Sequence, residues 1–273
     1  MKSIIKIAIL FGVIFHKSMA DFRIGYPEDD NSMIISSRII SGHDAKPHAA
    51  PFIVSIRSAA GKHLCGGSIL TKNSILTAAH CLQSDLYVVA GLHDRRIEND
   101  GIVQVAKVKG YAGHQDFKGG VSPYDIAILY LEKSLELNDQ IQAIALPETA
   151  EKQMGEAVLF GWGRIKSNAF NFPNILQTVT SDLMTNQECY NQLPDKKKLE
   201  LDDSMICLGS RNHGISACNA DSGGPLVQQN ADKSFVQVGV VSWGVLPCGK
   251  LNKPSVFTHT GAHLNWIKRN TKK

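Results

Sequence analysis

The 273-residue chain lacks the marks of several large protein classes. It has no C-x-x-C pair, so Cys65, Cys81, Cys189, Cys207, Cys218 and Cys248 give no support to a zinc cluster. It has no N-x-S/T sequon, and N-glycosylation is not expected. No apolar run approaches the roughly 20 residues needed to span a bilayer. Internal repeats and low-complexity tracts are missing, and a formal charge of +4 is too mild to demand an acidic partner. The basic run Lys196-Lys197-Lys198 lies between Asp195 and Glu200 without interleaved aromatics, the pattern of a solvated loop and not of a nucleic-acid surface. Helical periodicity is scarce as well. Only Leu264, Trp266 and Ile267, beside Lys268 and Arg269, form an apolar stripe, which places one helix at the C-terminus.

What is present begins with Lys2 and Lys6, an apolar run from Ile7 to Phe15 and the small-x-small sequence Ser18-Met19-Ala20, which together read as a secretory signal peptide over residues 1–20. The run is too short for a membrane anchor, so the expectation is a secreted, extracellular protein. In an oxidising compartment the default for six cysteines is disulfide pairing. Their connectivity stays open at this level, because that number allows many pairings. Residues 21–38, with Pro27, Glu28, Asp29 and Asp30, are too polar to pack against a core and read as a removable leader.

From Phe52 onward, short runs rich in Val, Ile, Thr and aromatics recur between Gly, Asn, Asp and Pro, as strands should. They cover His63 to Leu70, Leu86 to Gly91, Val103 to Tyr111, Ile126 to Leu131, Ala157 to Trp162, Ile175 to Leu183, Phe235 to Trp243 and Ser255 to Thr260. The polar stretch from Glu132 to Glu156 separates two groups of them, with a boundary near 135–156. The expected class is all-β, in two antiparallel units, with the cleft between them as the natural place for a site.

Three local sequences carry chemistry: Thr77-Ala78-Ala79-His80-Cys81, Tyr124-Asp125-Ile126-Ala127 and Asp221-Ser222-Gly223-Gly224-Pro225. Taken singly, His80 reads as a core histidine beside a cysteine, Asp125 as a turn residue and Ser222 as a loop serine. Jointly they supply what acyl transfer needs. A serine hydroxyl is a weak nucleophile until a neighbouring base removes its proton. A carboxylate then fixes the imidazole tautomer and stabilises the imidazolium. The position two before Ser222 is Ala220, so the G-x-S-x-G elbow of the α/β-hydrolases is missing, and the chain order His, Asp, Ser differs from theirs.

From Arg38 to the C-terminal helix the chain resembles the trypsin/chymotrypsin family of serine proteases. The resemblance implies two six-stranded antiparallel β-barrels with a C-terminal α-helix over residues 39–273, and His80, Asp125 and Ser222 as the triad. It implies an oxyanion hole from the N–H groups of Ala220 and Ser222, and activation by a trypsin-like protease cutting Arg38-Ile39-Ile40-Ser41-Gly42 after Arg38, so that the new Ile39 ammonium pairs with Asp221. It selects the pairings Cys65 with Cys81, Cys189 with Cys207, and Cys218 with Cys248. Ser216 matches the base of the specificity pocket, Gly244 and Ser255 its walls, and Ser242-Trp243-Gly244 the segment whose backbone pairs with substrate as an added strand. An uncharged pocket base offers no partner to a buried Arg or Lys, so Phe, Tyr, Leu or Met is expected at P1.

Two departures stand out. Leu92 occupies the place where calcium-binding relatives supply their first acidic ligand, and neither a metal nor another cofactor is expected. Ala220 replaces the family's glycine in the oxyanion hole. The expected partners are protein or peptide substrates, an activating protease and protein protease inhibitors, with no nucleic acid and no membrane, and the expected state is a monomer. The competing expectation is a protease-fold binding protein that has lost turnover through Ala220. A structural β module would explain the cysteines but not the three motifs. His259 and His263 are four apart but lack the acidic residue of H-E-x-x-H, and read as surface polar residues.

Overall fold

A computed structural model of the chain describes residues 37–40, 42–97, 101–152, 154–163, 172–195, 201–209, 216–218, 221–245 and 253–271, with the backbone alone for 37–40 and 216–218. Two short strands, β1 (Ser37–Ile40) and β2 (His43–Asp44), come first. β3 (Ile53–Arg57), β4 (His63–Thr71), β5 (Ser74–Thr77), β6 (Tyr87–Ala90), β7 (Gln104–Gly113) and β8 (Ala127–Leu131) close into a barrel in the order β3-β4-β5-β8-β7-β6.

β9 (Glu156–Gly161) and β10 (Gln177–Met184) open the second unit. After helix α1 (Asn186–Gln192) come β11 (Met205–Leu208), β12 (Ser216–Cys218), β13 (Pro225–Gln229), β14 (Phe235–Gly244), β15 (Ser255–His259) and the terminal helix α2 (Leu264–Thr271). The sheet β11-β15-β14-β13-β9-β10 closes through pairing of β10 with β11, and β2 adds to it beside β10. The fold is therefore two six-stranded antiparallel barrels and a C-terminal helix.

All eight expected runs are strands; β3, β5, β11 and β13 were not singled out by the sequence. Each is only four or five residues long, and β3, β5 and β11 are buried throughout, so none shows the alternation that marks a half-exposed strand. Helix α1 also departs from expectation. Its start is set by chemistry and not by periodicity: Thr185 accepts from the Glu188 N–H while the Glu188 carboxylate accepts from the Thr185 N–H, a reciprocal capping box. Cys189 on its buried face is bonded to Cys207 of β11.

Ile56, Ile69, Ile75, Leu76, Val88 and Ile128 fill the first barrel, and Leu159, Val179, Ile206, Leu226 and Phe257 the second. A third cluster joins them, with Phe52, Ile53 and Val89 from one side and Phe160, Trp162 and Val227 from the other. Phe52, Phe160 and Phe235 meet edge to face at 5.8 to 6.1 Å. Phe52 and Phe160, both buried, each stabilise the packing by roughly 1.5–3 kcal/mol, and Phe235 is partly buried beside them. A buried polar bond also crosses: Ser68 Oγ donates to Gln237 Oε1 at 2.6 Å, and the Gln237 amide donates to the Gly239 carbonyl. Helix α2 returns to the first barrel, where Trp266 and Ile267 join its core and the Tyr130 hydroxyl donates to the Asn270 carbonyl. Among the described residues no helix is long and apolar enough to cross a membrane.

Candidate active site

His80 lies in a single 3-10 turn, Ala79–Cys81, at the end of β5, and the Cys65–Cys81 disulfide pins that turn to β4. Asp125 precedes β8 and is 1% exposed. The His80 Nδ1–H donates to Asp125 Oδ2 at 2.6 Å, and the His80 backbone N–H donates to Oδ1 at 3.0 Å, so both carboxylate oxygens hold one residue. Ser242 of β14 adds its hydroxyl to Oδ2 at 2.6 Å, and the Thr258 hydroxyl of β15 donates to the Asp125 carbonyl at 2.8 Å. The dyad thus belongs to the first barrel, while the second adds one hydroxyl donor to its carboxylate and one to its backbone carbonyl.

Electrostatics follow from this arrangement. Burial favours neutral imidazole and acts to lower the His80 pKa, but the Asp125 charge and its hydrogen bond together outweigh it and hold the ring above its ordinary 6.5. Nε2 of His80 is buried and makes no hydrogen bond. It is the nitrogen left to act as a base once Nδ1 is committed to Asp125.

Ser222 is anchored on both sides of the same junction. Its carbonyl accepts from the Gly66 N–H of β4, and the N–H of the next residue, Gly223, donates to the Val241 carbonyl beside Ser242. Gly223 has φ of 76°, and a Cβ there would lie 2.1 Å from Thr77 Oγ1 and 2.7 Å from the Gly66 carbonyl, so the segment carrying Ser222 presses on the strand that leads to His80. Asp221 is 1% exposed and accepts from the Gly163 N–H at 2.8 Å; burial drives its carboxyl well above the usual range despite that bond. A Cβ on Gly163 would fall 2.1 Å from the same carboxylate, which is why no side chain fits there.

Gly244 and Ser255, expected as pocket walls, are register partners across β14 and β15, both buried. Trp243 is 2% exposed, packed with Met184, Met205 and Val256. Strand β1, which carries Arg38 and Ile39, pairs antiparallel with β12, which begins at Ser216. Ala220, Cys248 and Lys196 to Lys198 lie outside the described residues, so the oxyanion position and the Cys218–Cys248 pairing are not part of this description.

Leu92 is 4% exposed within the cluster between the barrels, and the carboxylate two residues on, Asp94, is gripped by the Arg96 guanidinium at 3.0 and 3.1 Å from Nε. Cys65, His80 and Cys81 bring potential metal ligands within 4.8 Å of one another, but the sulfurs are joined and offer no thiolate. The expectation for His259 and His263 is corrected: they are 2% and 4% exposed, one ending β15 beside β14 and the other in the following turn against the rings of His114 and Tyr124.

Sequence reasoning read Ser242 only for its backbone and missed its hydroxyl on Asp125. It also passed over Thr258, and over Tyr124, whose φ is 66°. A left-handed backbone costs roughly 1–2 kcal/mol for a residue with a Cβ, and tyrosine gives no sequence signal of it.

Two antiparallel barrels, with a buried His–Asp pair on one and the serine loop anchored against both, define a serine endopeptidase of the chymotrypsin-like fold. The family model described as Trypsin matches residues 39–267. Similar proteins include lectizyme of Glossina austeni, 42% identical over 85% of this chain and 86% of its own, and the clotting factor G beta subunit of Tachypleus tridentatus, 37% identical over 87% and 81%. Trypsin of Sus scrofa is 30% identical over 89% of this chain and 98% of its own. Among solved structures, neuropsin, a serine protease expressed in the limbic system of mouse brain, superposes with a TM-score of 0.76 at 28% identity, covering 85% of this chain and all of that one. The chain belongs to the trypsin family and is a serine endopeptidase.

Proposed function

We propose that this enzyme is a secreted zymogen that cleaves proteins after large apolar residues, using Ser222 as nucleophile, His80 as general base and acid, and Asp125 as the group that orients and stabilises the imidazolium. The observation that carries the assignment is the 2.6 Å His80–Asp125 bond, reinforced by Ser242. With Nδ1 tied to the carboxylate, Nε2 accepts the Ser222 proton during attack on the scissile carbonyl, then returns it to the leaving amine. The backbone N–H groups of Ala220 and Ser222 receive the developing oxyanion.

Residues 1–20 act as the signal peptide and 21–38 as the propeptide. Cleavage after Arg38 frees the Ile39 ammonium, and its charge brought beside the buried Asp221 carboxyl would restore the ionised form that burial disfavours. The leader holds no cysteine, so it is free to leave once cut. Ser216 at the pocket base, with Gly244 and Ser255 on its walls, supplies no countercharge for Arg or Lys, which supports preference for Phe, Tyr, Leu or Met. The enzyme works as a monomer on protein or peptide substrates, and protein inhibitors compete for the same cleft.

The test is labelling by a serine-directed phosphonate before and after cleavage at Arg38, together with a P1 peptide library. Labelling should appear only after cleavage and vanish in Ser222→Ala, and Arg38→Gln should stay unlabelled after trypsin treatment. A cleaved protein that fails to label would turn the assignment toward a binding protein, and a dominant Arg or Lys preference would overturn the pocket reading.

A further inference from the structure

Asp125 follows a residue that bulky side chains seldom occupy in this way: Tyr124 at φ 66°. Such conformations persist where the surroundings over-determine them, and they gather at functional sites. Here the surroundings are rings. Tyr124 is stacked on His114 with centroids 4.9 Å apart and planes 24° from parallel, and His263 meets it edge-on at 5.6 Å. His114 also touches Trp266 at 5.2 Å and His263 at 5.3 Å. The four rings, from the end of β7, the approach to β8, the turn into α2 and α2 itself, make one block. Main-chain bonds connect it to the dyad. The Ile126 N–H donates to the Tyr124 carbonyl at 2.8 Å, closing a three-residue turn centred on Asp125, and the His114 N–H donates to the Ile126 carbonyl at 3.0 Å.

We infer that Tyr124 is a positioning residue for the catalytic carboxylate: its ring, clamped between His114 and His263, enforces the left-handed turn that aims Asp125 at His80. The donors on the far side, from His80, Ser242 and Thr258, fix where the carboxylate and its carbonyl end up. They do not select the backbone entering Asp125, which the unclamped chain would relax away from. The inference rests on the protease reading of this site and adds the residue that sets the acid's backbone.

The experiment compares Arg38-cleaved wild type with Tyr124→Phe, Tyr124→Ala and Tyr124→Gly, each standardised by phosphonate titration of active sites. Tyr124→Phe keeps the stack and should match wild type. In Tyr124→Ala and Tyr124→Gly, kcat per titrated site should fall about 10- to 100-fold with KM little changed, the scale of a lost alignment. The acid limb of kcat/KM should move to lower pH, because a loosened Asp125 no longer holds the His80 imidazolium. Glycine tolerates the left-handed backbone, so this variant folds even if the alanine one does not. The low-field proton resonance of His80 Nδ1–H should also broaden or shift in it. Variants that lose only thermal stability, with kcat, the acid limb and the proton resonance unchanged, would overturn the inference while wild-type turnover leaves the protease reading standing. A wild type that neither labels nor turns over would bring down both.

Discussion

Two histidines should make this protein acid-labile. His259 and His263 are almost completely buried. Burial depresses both to about 4, helped by Lys152 at the first and by His114 and His259 at the second, with Asp202 pulling His263 slightly back. In the unfolded chain each returns to about 6.5. Between those values the unfolded state binds more protons than the folded one, so stability is full above about 6.5, declines as the pH falls and levels off below about 4. A gap of about 2.5, at about 1.4 kcal/mol for each pH unit, gives an upper bound of about 3.5 kcal/mol per histidine. Set against a typical domain stability of about 5–15 kcal/mol, the pair is decisive. Asp221 works the other way, since its raised carboxyl takes up a proton in the fold as the pH drops. The measurement must therefore be a difference between variants that share Asp221. Urea unfolding of the full chain carrying Ser222→Ala, which prevents self-digestion, would be followed at pH 7, 5.5 and 4. Adding His263→Phe and His259→Gln, singly and together, should flatten the loss of stability, with the double change flattest. The two histidines face each other's charge, so their effects will not add simply. A double variant that loses as much stability from pH 7 to 4 as its parent would refute the reasoning.

Ser242→Ala removes one of the donors on Asp125, which costs about 1.5–3 kcal/mol for a bond to a charged group. It should lower kcat and move the acid limb upward, because the less shielded carboxylate holds the imidazolium more firmly; an unchanged limb in a pH–rate profile would count against it. Gly223→Ala forces a left-handed alanine into Thr77 and Gly66, and should destabilise by at least about 2 kcal/mol in denaturant titrations. Ala220→Gly should raise kcat on a Phe-P1 peptide more than it alters KM, with about 100- to 1,000-fold as the outer bound set by loss of an oxyanion donor. An equal or lower kcat would mean that the loop has adapted to alanine. EDTA should leave activity and melting temperature unchanged, since Leu92 is apolar and Arg96 already holds Asp94; a marked loss of either would expose a metal site.

The sequence by itself determined the class of fold and the C-terminal helix, because strand composition and the terminal apolar stripe are written in local order; the two disulfides seen here followed only from the family resemblance, since six cysteines leave the pairing open. It also marked His80, Asp125 and Ser222, since chain order and motif together are more selective than any single residue. Only the tertiary structure decided what surrounds them. Ser242 reaches Asp125 across 117 residues of chain and Thr258 across 133, so no local pattern announces either bond. His259 and His263 read as surface residues in the sequence but lie buried beside β14 and against the His114 and Tyr124 rings, because burial depends on which elements meet. Short buried strands such as β5 and β11 escaped for a related reason: with both faces covered, the alternation that reveals a strand is erased by the packing itself.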